Sequence, residues 1–253
     1  MISFVFHNFF YQPLLNILAA ITLFVPGNNL GVAIIVLTLL VNLALLPLTR
    51  RAKISQEKTR ALQPDLERIK KQYKNNPQKL LDAQRALYHE HGISMRANIA
   101  QFLAFLFIQL PLFIALYRLF GSGGLFEGNL YAFMPDIPKA NPIFLGIFDL
   151  TRQAISANKF TSPTSYANLA LAILTAGLQY LQTKTQAAPS KNMSEFERTF
   201  QSQAKYIFPG LIFVLCATTP AALALYWTSQ SVFAIVHEKK FMRYGRDTHT
   251  NKQ

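Results

Sequence analysis

An all-α fold embedded in a membrane is what this sequence predicts, and three observations carry the expectation. Of 253 residues, 51% are apolar and only 15% are charged. The charges are segregated: Met1–Thr49 contains no Asp, Glu, Lys or Arg, whereas Arg50–Arg96 holds almost half of the basic residues. The uncharged runs approach the roughly 20 residues that a hydrocarbon core of about 30 Å requires of a helix. A water-soluble helical domain would instead mix charged and apolar positions along every amphipathic element.

Residues 1–29 are expected to form an extracytoplasmic interfacial segment. Its apolar run, Leu14–Val25, is too short to span and follows Phe9, Phe10 and Tyr11. No basic residue precedes it and no small-residue cleavage site follows, so a removed leader is not expected. The membrane core, 30–236, is expected to contain five transmembrane helices. Leu30–Thr49, Ala97–Tyr117 and Ser165–Thr183 are three of them. The long run from Tyr206 to Val236 divides at Thr218-Thr219-Pro220, because proline lacks a backbone donor and clashes with the preceding turn. It yields two short antiparallel spans, Tyr206–Thr218 and Pro220–Val236.

Charge sets the orientation. An N-out, C-in arrangement leaves only Arg118, Lys139, Arg152 and Lys159 of the 25 Lys and Arg residues outside. The reverse would violate the positive-inside bias. Residues 50–95 then form a cytoplasmic helical hairpin. Ile54, Leu62, Leu66, Ile69 and Tyr73 supply its apolar seam, Leu80, Leu87 and Tyr88 continue it, and Asn75-Asn76-Pro77 marks the turn. Pro64 is expected to kink or restart the first arm. The Gly-, Pro- and Asn-rich outer loop, 121–164, is expected to hold one short helix near Phe144–Ala157. A cytoplasmic loop, 184–205, and a basic cytoplasmic tail, 237–253, complete the chain, and no internal repeat is visible.

The formal charge of +13 raises the question of nucleic acid. The excess base lies beside apolar runs, as cytoplasmic retention of Lys and Arg requires, so no specific nucleic-acid sequence is expected as a partner. Cys216, the single cysteine, allows no intramolecular disulfide and reads as a small buried hydrophobe. None of the five spans has Asp, Glu, Lys, Arg or His in its interior. That argues against proton relays, ion pathways and paired-carboxylate catalysis. His89-Glu90-His91 does not present two histidines on one helix face, so no metal site is expected. Gly121-Ser122-Gly123-Gly124 lacks the strand–turn–helix setting of a nucleophile elbow. The chain is therefore not expected to be an enzyme or to bind a cofactor.

The spans do contain amides and hydroxyls. Asn42 is central in the first; Gln101 and Gln109 lie in the second. Asn168, Thr175, Gln179 and Gln182 share one face of the third, and Thr228, Ser229 and Gln230 sit in the fifth. Two readings stand side by side: hydrogen bonds that tie the bundle together, or an uncharged polar groove, partly wet, within the membrane.

Particular strings narrow the choice. The first span and its exit, GVAIIVLTLLVNLALLPLTRRAKISQEK, resemble the YidC family of membrane-protein insertases, relatives of the mitochondrial oxidase-assembly and chloroplast Albino insertases. ALQPDLERIKKQYKNNPQKLLDAQRALYHEHGIS, then IQLPLFIALYRLF, and finally YIFPGLIFVLCATTPAALALYWTSQSVFAIVHE are similar in the same order, from about Gly31 to Glu238. The resemblance implies a five-span core, a cytoplasmic coiled-coil hairpin, and a hydrophilic groove open to cytoplasm and lipid but closed outside. It implies insertion of nascent transmembrane segments without nucleotide or metal, in the bacterial cytoplasmic (plasma) membrane. Nascent membrane proteins and lipid are the implied partners, with the ribosome and the Sec translocon as further candidates. The groove would be lined by Asn42, Gln101, Gln109, Thr175, Gln179, Thr228 and Gln230.

Two positions depart from the family. A basic residue is usual where Asn42 stands, and Asn where Gln230 follows Leu-Tyr-Trp. The chain also looks like the form without a large extracytoplasmic domain. A small channel or transporter, or an assembly factor that inserts nothing, are the competing readings. The first would call for an intramembrane charge, a broken helix pair or an inverted repeat.

Overall fold

A computed structural model describes residues 7–93, 111–121, 126, 130–135, 140–155, 162–186 and 195–250. These residues are mainly helical. The chain divides into two compact units, Met1–Leu43 with Gln109–Ala187 and Gln203–Gln253, and Ala44–Ile108 with Ala188–Ser202.

In the larger unit, a short π-helical turn, His7–Tyr11, leads into α1, Gln12–Phe24. One face of α1 is buried through Leu15, Leu18, Ala19 and Thr22, and Asn16 accepts a hydrogen bond from the Tyr131 amide at 2.8 Å. Helix α2, Leu30–Ala44, follows a turn in which Gly27 takes a left-handed φ of 70°. The expected run to Thr49 is interrupted at Leu45. Pro47 accounts for the break, since it lacks an amide hydrogen and its ring crowds the carbonyl four residues back, while it is tolerated in the first turn of the helix that restarts at Leu46. Helical residues 111–121 form α6 and bury Leu112, Ala115, Leu116, Leu119 and Phe120 in the core. Most of the expected second span, including Gln101 and Gln109, lies outside the described residues.

Helices α7, Pro163–Gln186, α8, Glu195–Thr218, from Gln203 onward, and α9, Ala221–Thr250, complete the unit. They differ from expectation at their ends. Helix α8 begins ten residues or so before its apolar run, so much of the expected 184–205 loop is helix, and α9 continues well past Val236. Helical i to i−4 bonding joins backbone groups and does not require apolar side chains, so apolarity and helix length need not end together. The Thr219-Pro220 break between α8 and α9 stands where the sequence puts it.

Residues 140–155 differ most. The sequence predicts a short helix near Phe144–Ala157, and the structure instead has a β-hairpin. Strand β1, Ile143–Phe144, pairs antiparallel with β2, Phe148–Asp149. Leu145 and Gly146 turn it with φ of 52° and 74°. A positive φ is unusual for leucine, which is why the hairpin is invisible to residue preferences. Its backbone finds partners far along the chain. The Leu30 amide donates to Asn141 O at 2.9 Å, and Asn29 Nδ2 to Ile143 O at 2.8 Å. The Ala221 amide donates to Arg152 O at 3.0 Å, the Ala222 amide to Leu150 O at 3.1 Å, and the Ile155 amide to Ala217 O at 2.8 Å. Gly31 is obligatory beneath this cap: a Cβ there would strike the Phe144 ring. The starts of α2 and α9, the end of α8 and the first turns of α7 thus meet one plug, with Leu150 fully buried in it.

The smaller unit holds α3, Leu46–Ala61, α4, Gln63–Gln72, and α5, Pro77–Glu90. The first arm restarts at Leu62, one residue before Gln63-Pro64, where proline is tolerated in the first turn. Asn76 caps α5 by accepting from the Lys79 amide at 3.1 Å, with Pro77 in the first turn. Leu62 is buried and Leu66, Ile69 and Tyr73 are half-buried, whereas Ile54 is exposed and lies off the seam. The His91 ring packs on its own helix end, with Nδ1 3.0 Å from Leu87 O.

Among the described residues no helix is by itself long and apolar enough to cross a membrane. Helix α2 is apolar but has 15 residues, about 22 Å at 1.5 Å each. Helices α7, α8 and α9 have the length, and spend part of it on amides, hydroxyls and charges.

Candidate functional site: a line of amides and hydroxyls on α9

Starting from the plug, α2, α7 and α9 run in the same direction, and their side chains change character along the way. Near the plug they are sealed. Leu30, Gly31, Ala33, Ile34, Leu37 and Thr38 are buried on α2, Leu171, Ala172 and Thr175 on α7, and every residue from Ala221 to Tyr226 on α9. Farther on, burial gives out. No residue of α2 beyond Thr38 is buried, none of α7 from Ala176 to Lys184, and on α9 only Ser231 between Trp227 and Glu238.

The polar side chains gather at this transition. Thr175, fully buried, points its hydroxyl at Leu171 O, 2.7 Å, and Ala224 O, 3.2 Å, and stands 2.8 Å from Thr228 Oγ1. A threonine has one hydroxyl hydrogen, and here two carbonyls compete for it, so Thr228 is the donor in the threonine pair. About one turn on, Ser231 donates to Gln179 Oε1 at 3.3 Å. On the other flank of α9, Asn42 Nδ2 donates to Thr38 O at 2.7 Å and to Gln230 Oε1 at 3.2 Å. Residues Thr228–Ser231 therefore receive α7 on one side and α2 on the other.

Of the residues the sequence singles out, Asn42 pairs with Gln230 and Thr175 with Thr228. Gln179 meets Ser231, which the sequence reading passed over although it lies three residues from Thr228 on the same face. Gln101 and Gln109 lie outside the described residues. Asn168, which shares the Thr175 face, serves the plug instead: its Nδ2 donates to Asp149 O at 3.0 Å and Arg152 O at 3.1 Å. Trp227 flanks the transition, its ring 5.2 Å from that of Phe113.

Charge stays at the margins. Lys205 Nζ lies 5.4 Å from the Tyr180 ring centre and 5.6 Å from that of Tyr206. Near α1, burial raises the Tyr11 phenol above its usual value, opposed by the Arg118 guanidinium 5.9 Å over its ring. Among the described residues no three metal-ligating side chains converge.

Such an arrangement offers hydrogen-bond donors and acceptors without net charge, on helices whose outward faces are apolar. A family model described as 60Kd inner membrane protein matches residues 20–248. The chain is 27% identical over 218 residues to the membrane protein insertase YidC of Fusobacterium nucleatum subsp. nucleatum, covering 86% of this chain and 88% of that one. It is 27% identical over 234 residues to the membrane protein insertase YidC of Clostridium perfringens, covering 89% and 84%. The same name belongs to a Treponema pallidum relative, 27% identical over 224 residues; there the match covers 88% of this chain and 33% of the longer one. The chain belongs to the 60Kd inner membrane protein family, the family of the YidC insertases.

Proposed function

We propose that the chain is a membrane-protein insertase of the bacterial inner membrane, and that its polar line on α9 is where a nascent segment's hydrophilic end crosses. The observation that carries the reading is the coincidence of two surfaces. Leu40, Leu43, Ile173, Leu174, Ile207 and Leu211 are exposed large apolar side chains on α2, α7 and α8. Soluble monomers seldom expose contiguous apolar area on this scale, and lipid is the solvent that suits it. Facing inward at the level where burial ends are Asn42, Gln230, Thr228 and Gln179, half-buried and uncharged. Polar groups at that depth lower the desolvation cost of a hydrophilic segment, which otherwise amounts to several kcal/mol for each unpaired backbone group. No covalent step, nucleotide or metal enters this reading.

In this proposal five spans cross with the N-terminus outside, individual helices being tilted or assisted by local bilayer thinning. The plug at 140–155 then closes the groove on the outside, and the loosely buried ends of α2, α7 and α9 face the cytoplasm. The relatives' printed name supports the insertase role, and a channel is the weaker reading because no span carries Asp, Glu, Lys, Arg or His. The deciding experiment is reconstitution into protein-free liposomes with a short single-span substrate. Protease protection above that of empty vesicles is expected; protection no better than empty vesicles would leave an assembly factor. Orientation is tested separately. In a Cys216→Ser background, cysteine at Ser162 should react with an impermeant reagent outside cells, and cysteines at Asn76 and Asn192 should not.

A further inference from the structure

The plug carries a surface that sealing the bundle does not account for. Residues Pro142–Phe148 read Pro-Ile-Phe-Leu-Gly-Ile-Phe, without a hydrogen-bonding side chain among them. Hairpin turns in water favour Gly, Asn and Asp, which tolerate a left-handed backbone. Here Leu145 takes that backbone, with φ of 52°, and is 71% exposed, and Ile147 is 54% exposed. The base of the hairpin fixes where this tip lies. Asn141 O accepts from the Leu30 amide, Ile143 O accepts from Asn29 Nδ2, and the Phe144 ring covers Gly31. Residues 29–31 thus hold residues 141–144, so the strand lies across the start of α2 rather than climbing away from it. The tip is at the level where the charge-free run Leu30–Thr49 begins. Val32, next on α2, is an exposed apolar residue as well, and Leu39, Leu40 and Leu43 continue that exposure along the helix.

We propose that the hairpin tip, Leu145–Ile147, is a membrane anchor that dips into the outer leaflet at the boundary between headgroups and acyl chains. This rests on the reading that α2 spans the bilayer with its Leu30 end outside. Lipid is favoured over a second protein as the occupant because the tip adjoins, through Phe144 on Gly31, the start of the exposed apolar face of α2. In that reading the bilayer already covers this face. Charge resumes only behind the strands, where Arg152 Nε pairs with Asp149 Oδ2 at 3.0 Å and the arginine stays largely exposed. An apolar tip backed by charge is the order of chemistry met on crossing from acyl chains to headgroups. The unfavourable backbone of Leu145 is offset by removing its side chain from water. The anchor also has a mechanical consequence. Leu150 and Ala154, both buried, follow the second strand directly, so a tip held in lipid holds the plug down on α2 and α9.

The test uses the full chain in liposomes, with Cys216→Ser and an environment-sensitive fluorophore on Leu145→Cys. Phospholipid with a nitroxide high on the acyl chain should quench it severalfold more strongly than iodide supplied on both sides of the membrane. The preference should persist when lipid is raised in excess over protein. Ile147→Cys is a second reporter with the same expectation. Stronger quenching by iodide puts the tip in water and overturns the proposal. Shielding from both quenchers, or shielding from iodide that is lost on lipid dilution, puts the tip against a second copy of the chain and overturns it too. A label on Leu40→Cys separates this result from the membrane reading. It should be quenched by nitroxide lipid; if it is not, that reading falls and the anchor with it. Leu145→Asn tests the hold on the plug, because asparagine suits a left-handed backbone better than leucine does. A tip in water would be tightened by this change. An anchored tip is released, and a cysteine at Ala154 should then react with an impermeant reagent severalfold faster than in the parent. Equal or slower reaction overturns the anchor.

Discussion

The plug end and the open end of the α2–α7–α9 bundle are both polar, and the polar groups are satisfied in different ways. At the plug the partners are backbone. Asn29 and Asn168 donate to carbonyls of residues 143, 149 and 152, and backbone amides of residues 30, 221 and 222 donate to the same loop. At the open end the contacts between helices are made side chain to side chain: Asn42 with Gln230, and Gln179 with Ser231. Backbone partners fix a geometry, because the main chain cannot rotate away. Side-chain partners hold it only until something better arrives. The plug should therefore respond to mutation as a structural unit, and the open end should lose function before it loses stability.

The largest effect is expected at Gly31. Alanine there drives Cβ into the Phe144 ring and to 2.7 Å from Phe144 Cβ. Overpacking of this kind costs about 1–3 kcal/mol. Unfolding in detergent, followed by the fluorescence of the single tryptophan, Trp227, should show a lowered midpoint. Phe144→Ala in the same chain removes the ring but keeps the close Cβ, so rescue should be partial. Full stability of Gly31→Ala alone would mean that the hairpin does not sit on α2.

Next comes Asn168→Ala, which removes both donations to the 149–152 turn. Arg152 O keeps the Ala221 amide and Asp149 O keeps the Arg152 amide, so neither carbonyl is left bare. A loss of about 0.5–1.5 kcal/mol per lost hydrogen bond is expected. A cysteine at Ala154, which is almost wholly buried, should then become reactive from outside in a Cys216→Ser background. Unchanged protection of that cysteine would show that the plug holds without Asn168.

These regions were unequally legible in the sequence. The apolar runs located α2, α7 and the apolar parts of α8 and α9, because burial and lipid exposure both demand apolar side chains. Asn76-Pro77 and Thr219-Pro220 marked breaks through local chemistry alone. The hairpin was missed because Leu145 adopts a positive φ against its own preference, held there by bonds to α2 and α9 that no local window contains. The site was legible by residue type but not by pairing. Asn42 and Gln230 are 188 residues apart, and helical spacing orders residues within one helix only. Ser231 was passed over because it lies among other small polar residues, and only its contact with Gln179 sets it apart.

A smaller effect is expected for Thr175→Val, which keeps the shape and removes the hydroxyl. Interhelical hydrogen bonds of this type average about 0.6 kcal/mol and reach roughly 1.7. Because Thr175 also bonds within α7, Thr228 is the group that loses a partner. Stability should fall slightly while insertion at matched abundance stays near that of the parent. A large insertion defect would move Thr175 from the sealed half of the bundle to the working half.

The smallest effect on stability belongs to Asn42→Leu, and it divides the two halves most sharply. Leucine fills similar volume on a helix whose neighbours at this level are Leu40, Val41 and Leu43. Gln230 loses one donor to its half-buried amide, at the long end of the range. A cost of about 0.6 kcal/mol or less follows if the Asn42–Gln230 bond is only one more tie between helices. Insertion separates the possibilities. If this amide pair is where a hydrophilic segment exchanges hydrogen bonds, Asn42→Leu leaves a folded protein that inserts the single-span substrate poorly. Gln230→Leu should do the same from the other side, and the double variant should be little worse than either, since each alone abolishes the exchange. Additive losses would mean that the two residues act separately. Full activity of the Asn42→Leu chain would make the open end as purely structural as the plug.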